Sequence, residues 1–203
     1  MSNLPYWEGQ TVVIAASGPS LTENDVLYVR DKAKFIAVND VYHIAPFADV
    51  LYASDARWWQ HHNFVPNFKG QRWTHNHNGS AWSKLASENG LQMLHGCNGY
   101  GLSKDRRIIH FGGNSGFQAI NFAVHCGVKK IILLGFDCMR SVGKSHFFGN
   151  HPISLERDSP YTLFAQYFKI AATELADIGV DVINCTRTTS LRCFEQKQLR
   201  QAI

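Results

Sequence analysis

Thr11-Val12-Val13-Ile14-Ala15-Ala16-Ser17-Gly18-Pro19-Ser20-Leu21-Thr22 decides the fold. Its first half is a short apolar, β-branched run without polar alternation, the pattern of a parallel strand buried on both faces. It passes directly into a Gly-Pro-Ser turn, and a helical stretch from about Glu23 to Lys32 follows. A second strand reads at Lys34 to Asn39 and a third at Asp49 to Ser54. Strand, loop, helix, strand is the order of a parallel sheet with right-handed crossovers, so an α/β fold is expected.

Beyond Ser54 the pattern changes. From about His61 to Asp105 the chain is rich in Trp, His, Asn and Gly, with a helix at Ala81 to Glu88 and a strand near Leu91 to Leu94. This region reads as an irregular excursion over the active-site edge of one domain spanning residues 1–203. Regularity returns at Ile108. Asn114-Ser115 opens a helix that runs through Cys126, with Gly127 as its stop. Lys130 to Asp137 is the clearest strand in the chain, and the polar loop Cys138 to Pro160 follows it. A helix from about Tyr161 to Ile178 and a last strand at Val180 to Cys185 complete the pattern.

Composition narrows the classes. Of the 203 residues, 45% are hydrophobic and 18% charged, which is ordinary for a globular domain and too apolar for disorder. The longest apolar run, Ile131 to Phe136, is far too short for a membrane span. The first residues lack both the basic start and the apolar core of a signal peptide, so a cytoplasmic location is expected. The five cysteines are odd in number, scattered, and never in a C-x-x-C pair, so neither a disulfide framework nor a structural zinc site is indicated. A net charge of +4 without a basic run permits an anionic ligand and does not indicate nucleic acid. Composition leaves an oligomer open.

The chemistry-bearing residues gather at strand ends. Ser17, Gly18, Pro19 and Ser20 lie where the first strand meets its helix, a place that offers backbone N–H groups and a helix dipole to a phosphate. The loop is neither a P-loop nor a G-x-G-x-x-G fingerprint, and an N-capping turn without ligand would use the same residues. Gly112-Gly113-Asn114-Ser115-Gly116 is a second junction of this kind. Two such loops suit a ligand with phosphate and sugar parts lying across the strand ends. Asn39-Asp40 and Ser54-Asp55 close strands where small polar groups read a ribose or base edge, or simply cap turns.

Ten histidines stand out. His61-His62 and His75-Asn76-His77 lack an H-E-x-x-H frame or a cysteine partner, and adjacent histidines on a helix diverge, so they read as exposed histidines of a polar excursion and no metal ligands are assigned. His146 and His151 lie in a Gly/Asn-rich loop after the strongest strand. A neutral imidazole there takes a proton from an attacking hydroxyl, because imidazole titrates near working pH. Arg140 and Lys144 of the same loop are placed to neutralise a diphosphate leaving group. Trp58-Trp59 offers either a stacking platform or joint burial against the middle segment.

Taken in order, these motifs resemble a known family. Val13-Ile14-Ala15-Ala16-Ser17-Gly18-Pro19-Ser20-Leu21, Ala37-Val38-Asn39-Asp40, Leu51-Tyr52-Ala53-Ser54-Asp55, Gly113-Asn114-Ser115-Gly116-Phe117-Gln118-Ala119, Lys129 to Asp137 and His146-Phe147-Phe148-Gly149-Asn150-His151 follow one another. That series is similar to bacterial sialyltransferases of the Campylobacter lipooligosaccharide type. It is also similar to related proteins that include the archaeal 6-hydroxymethylpterin diphosphokinase, and to small proteins carried by tailed phages and prophages. The resemblance runs from Val12 to about Cys185. It implies a Rossmann-like, doubly wound, mainly parallel sheet with helices on both faces. It also implies a nucleotide or nucleotide-sugar on the Gly-Pro-Ser loop, contacts from Asn39 and Ser115, and His151 as general base with His146 in reserve.

The departures are specific. Ser17 replaces the Asn of those transferases, and Cys138-Met139-Arg140 stands where they carry an aromatic segment whose tyrosines hold the departing phosphate. Two chemistries follow from the resemblance. One is glycosyl transfer from a nucleotide-sugar with no further cofactor. The other is Mg²⁺-dependent diphosphoryl transfer with Asp55 and Asp137 as the carboxylates. A nucleotide-binding protein without catalysis keeps the same fold.

Overall fold

The first strand, β1 (Thr11–Ala15), sends Val12 and Ile14 to one face of the sheet and Val13 and Ala15 to the other. All four side chains are fully buried, which is why the run shows no alternation. Each valine or isoleucine side chain among them contributes roughly 1.5–3 kcal/mol by leaving water. A computed structural model describes residues 4–76, 80–139, 145–150, 152, 155 and 159–203.

The sheet has nine strands, and every neighbouring pair is parallel. Its spatial order is β6 (Ile108–His110), β5 (Gln92–Cys97), β4 (Gln71–Asn76), β3 (Val50–Tyr52), β2 (Lys34–Val38), β1, β7 (Lys130–Leu134), β8 (Asp181–Asn184) and β9 (Glu195–Gln196). One face is covered by α1 (Glu23–Val29), a 3₁₀ helix (Asn39–His43), α2 (Ala56–His61), α3 (Ser80–Glu88) and α6 (Leu199–Ala202). These bury Val26, Val41, Trp58, Trp59, Trp82 and Ala202. The other face is covered by α4 (Ser115–His125) and α5 (Tyr161–Asp177), which bury Phe117, Ile120, Phe122, Phe168 and Leu175. The result is the doubly wound, Rossmann-like α/β architecture that the sequence predicts.

The chain leaves β1 in one direction through β2 to β6, then returns by α4 to lay β7 on the other side of β1. It continues outward through α5 to β8. Winding therefore reverses between β1 and β7, and in open parallel sheets a crevice forms beyond the strand ends at that point.

The segment 61–105 holds the expected helix and strand, as α3 and β5, and is more regular than expected in adding β4; both strands are internal members of the sheet. β4 reads Gln-Arg-Trp-Thr-His-Asn, with no apolar run, yet Trp73, Thr74 and His75 are buried. Its place is fixed by backbone pairing to β3 and β5 (Val50 with Gln71, Trp73 with Gln92), a signal that hydrophobic periodicity does not carry. Among the described residues no helix is long and apolar enough to cross a membrane.

Candidate functional site

A cleft of about 430 Å³ opens at the carboxyl ends of the strands, beyond the β1–β7 reversal. Ser17, Gly18 and Pro19 line it from the first loop, Asn39 from the end of β2, and Ser54 and Asp55 from the end of β3. Asn114, Ser115 and Gly116 line it from the start of α4, Asp137 from the end of β7, and His146 from the segment beyond. Residues distant in sequence thus converge because parallel strands deliver their ends to one edge.

The first loop is laced to the end of β7. The Ala16 N–H donates to the Leu134 carbonyl at 2.8 Å and the Gly18 N–H to the Gly135 carbonyl at 2.9 Å. Asp137 accepts from both the Ser20 N–H and the Ser20 hydroxyl, each at 2.9 Å. A Cβ on Gly18 would collide with the Gly135 carbonyl and the Asp137 carboxylate, so this glycine is demanded by strand-to-loop packing. Pro19 has no N–H, and Thr22 caps α1 by accepting from the Asp25 N–H. The phosphate cradle expected here is therefore largely spent on protein acceptors, and a carboxylate already occupies the donors of Ser20. Ser20 is turned toward Asp137 and is not among the cleft-lining residues.

The second loop is different. Gly112 and Gly113 take left-handed conformations (φ 53° and 78°) that swing the chain from β6 into α4. The Asn114 side chain caps the helix by accepting from the Phe117 N–H at 2.8 Å. The first-turn N–H groups of Ser115 and Gly116 have no intrahelical partner and stand at the positive end of an eleven-residue helix. The Ser115 hydroxyl meets the Ser54 hydroxyl at 2.7 Å and accepts from the Ser54 N–H at 3.1 Å, which fixes the end of β3 to α4. Behind it, Tyr52 donates to Gln118, and Gln118 donates to the Phe111 carbonyl. The start of α4 is the positive end of a helix bordering the cleft.

His146 is half-buried and held in a tight turn, exchanging backbone hydrogen bonds with Gly149 at 2.9 and 3.0 Å. Its ring stacks on Phe148 with centroids 5.1 Å apart. The Phe147 N–H donates to the Ser17 carbonyl at 3.2 Å, so this turn is anchored to the first loop. Asp137 is buried, and that burial raises its pKa, while the Ser20 hydrogen bonds pull the other way. Asp55 caps α2 by accepting from the Arg57 N–H and pairs with the Arg57 guanidinium at 3.2 Å.

Asp40 corrects the reading of a cleft residue. It is buried beneath α2 and accepts from the Trp58 indole at 2.9 Å, because Asn39 adopts a left-handed φ of 51° and turns the chain into the 3₁₀ helix. Asn39 faces the cleft and Asp40 does not. Trp58 and Trp59 are both buried and cross edge-to-face at 5.1 Å, so neither is a stacking platform. Arg140, Lys144 and His151 lie outside the described residues. Sequence reasoning missed an aromatic wall: Tyr161, Phe164 and Phe168 of α5, with Phe136, line the cleft. Their spacing, i, i+3 and i+7, marks one helical face and was the available signal.

No family model matches the chain, and no curated protein matches it.

Proposed function

We propose that the chain is a nucleotide-dependent transferase, specifically a glycosyltransferase acting on a nucleotide-sugar donor. One observation carries the reading: the first turn of α4, whose N–H groups have no intrahelical partner, and His146 line the same switch-point cleft. The donor phosphate would lie on the α4 N-terminus, with the Ser54–Ser115 pair and Asn39 toward the sugar or base, and the α5 aromatic wall against an apolar face. A histidine takes the proton of the acceptor hydroxyl as its oxygen attacks the anomeric carbon. The bond to the phosphate oxygen breaks, and the nucleotide leaves as an anion held by the helix dipole. Tyr161 adds a phenol to the cleft wall.

The diphosphotransferase alternative needs Mg²⁺ on Asp55 and Asp137. The donor set fits poorly, since Asp137 is turned onto Ser20 and Asp55 onto Arg57. The test is calorimetric titration with nucleoside monophosphates and nucleotide-sugars, with and without chelator, followed by a donor-hydrolysis assay. Saturable, chelator-insensitive binding of a nucleotide-sugar supports the proposal. Binding that requires Mg²⁺ would favour the alternative, and saturable binding without turnover would leave a nucleotide-binding protein.

A further inference from the structure

We propose a second site, outside the cleft lining: a transition-metal site of the zinc class formed by Asp40, His43 and His62. One ligand atom from each lies within 4.8 Å of the others. Asp40 and His43 are three residues apart on a helix with about three residues per turn, so they stack on one side of it. His62 ends α2 and brings its ring to the same point. The adjacent His61 diverges, as neighbours on a helix must, but the partners of His62 come from a different element.

The surroundings are those of a ligating set. His62 Nδ1 lies 3.0 Å from the Tyr42 hydroxyl, and the Trp58 indole donates to Asp40 Oδ2. Metal-bound imidazoles and carboxylates are oriented by such outer hydrogen bonds. With Nδ1–H donated to Tyr42, the lone pair of His62 Nε2 faces the Asp40 Oδ1 3.4 Å away. His62 Nε2 is buried and has no hydrogen-bond partner among the described residues. A cation between the two atoms resolves both features. His43 is exposed, which gives the metal a way in and leaves a coordination position to water. Two imidazoles, one carboxylate and an open position suit Zn²⁺, with Co²⁺ and Ni²⁺ as competent substitutes. The bound metal would clamp the 3₁₀ helix to α2, whose leading residues, Asn39 and the Asp55 cap, both line the cleft.

The experiment is titration of the chelator-treated full chain with Zn²⁺ against a competing chelator, with Co²⁺ visible absorption as a second readout. One equivalent is expected. His43→Ala and His62→Asn should each weaken Zn²⁺ roughly a hundredfold or more, and Tyr42→Phe roughly 10–100-fold. The exposed neighbour variant His61→Ala should bind as wild type. Should His62→Asn fail to fold by circular dichroism, His43→Ala decides, because that side chain is exposed. Absence of saturable binding, or wild-type affinity in His43→Ala, overturns the proposal and leaves His62 as an ordinary ion-pair partner of Asp40.

Discussion

The Asp137 carboxylate receives both the N–H and the hydroxyl of Ser20 at 2.9 Å, joining the end of β7 to the loop after β1. An internal anion thus holds the turn that, by position, invites an external one. That is why the proposed reading puts a donor phosphate at α4, and the relationship carries its own energetic consequences.

Ser20→Ala removes one donor from a buried carboxylate and should destabilise the fold by about 1–3 kcal/mol. Asp137 also leaves a pH signature. Its folded pKa is raised by burial, so its contribution is fullest below the ordinary carboxylate range. As pH rises the unfolded carboxyl ionises first, and the contribution falls until the folded pKa is passed. The stability difference between wild type and Asp137→Asn, from urea unfolding between about pH 4 and about pH 7, should shrink as pH rises. A difference that grows with pH would mean that the Ser20 bonds outweigh burial.

Gly18→Ala should cost about 1–3 kcal/mol or more, because its Cβ meets the Gly135 carbonyl and the Asp137 carboxylate rather than open cleft. Thermal unfolding measures this directly. A fully stable Gly18→Ala protein would show that the loop is freer than the hydrogen bonds to Gly135 indicate. Loss of ligand binding in such a variant therefore reports on the loop itself and says little about phosphate contact.

The same glycine shows what sequence conveys. Its position at a strand-to-helix turn was legible, because β1 and β7 are buried on both faces and read as unbroken apolar runs. Its reason was not, since the colliding groups lie more than a hundred residues away. Asn39 and Asp40 failed to separate for a similar reason: with a left-handed φ at Asn39, Asn39 lines the cleft while Asp40 is buried against Trp58. β4 escaped because its buried side chains include Thr74 and His75, which no apolar template counts. The cluster of Asp40, His43 and His62 escaped because its members come from two elements that only the fold brings together.

The Ser54–Ser115 contact predicts a coupled pair. Ser115→Ala deprives the Ser54 N–H of its acceptor and should cost about 1–2 kcal/mol. A double-mutant cycle with Ser54→Ala should give an interaction energy of about 0.5–1.5 kcal/mol in urea unfolding. Additive effects would mean that β3 and α4 are held together by packing alone. Nucleotide affinity should fall in both single variants, because the pair stands beside the N–H groups assigned to the phosphate.

The last prediction concerns the proton acceptor. His146 lines the cleft, and its turn is tied to the first loop through the Phe147–Ser17 hydrogen bond. His151 carries the base role in the family resemblance. The two are separable by kinetics once a donor is identified. Loss of a general base lowers kcat by roughly 10²–10⁴-fold while leaving donor affinity nearly unchanged, because the imidazole acts on the acceptor hydroxyl in the transition state. His146→Gln keeps a side chain of similar reach that cannot accept a proton at working pH. If His146 is the base, His146→Gln should show that loss in kcat, with donor dissociation constants by calorimetry within about threefold of wild type, a change worth well under 1 kcal/mol. His151→Gln should then retain most of its turnover. The reverse pattern would give His151 the base role and leave His146 as a wall of the cleft stacked on Phe148. Near-normal turnover in both variants would remove histidine base catalysis altogether and direct attention to the Tyr161 phenol on the facing helix.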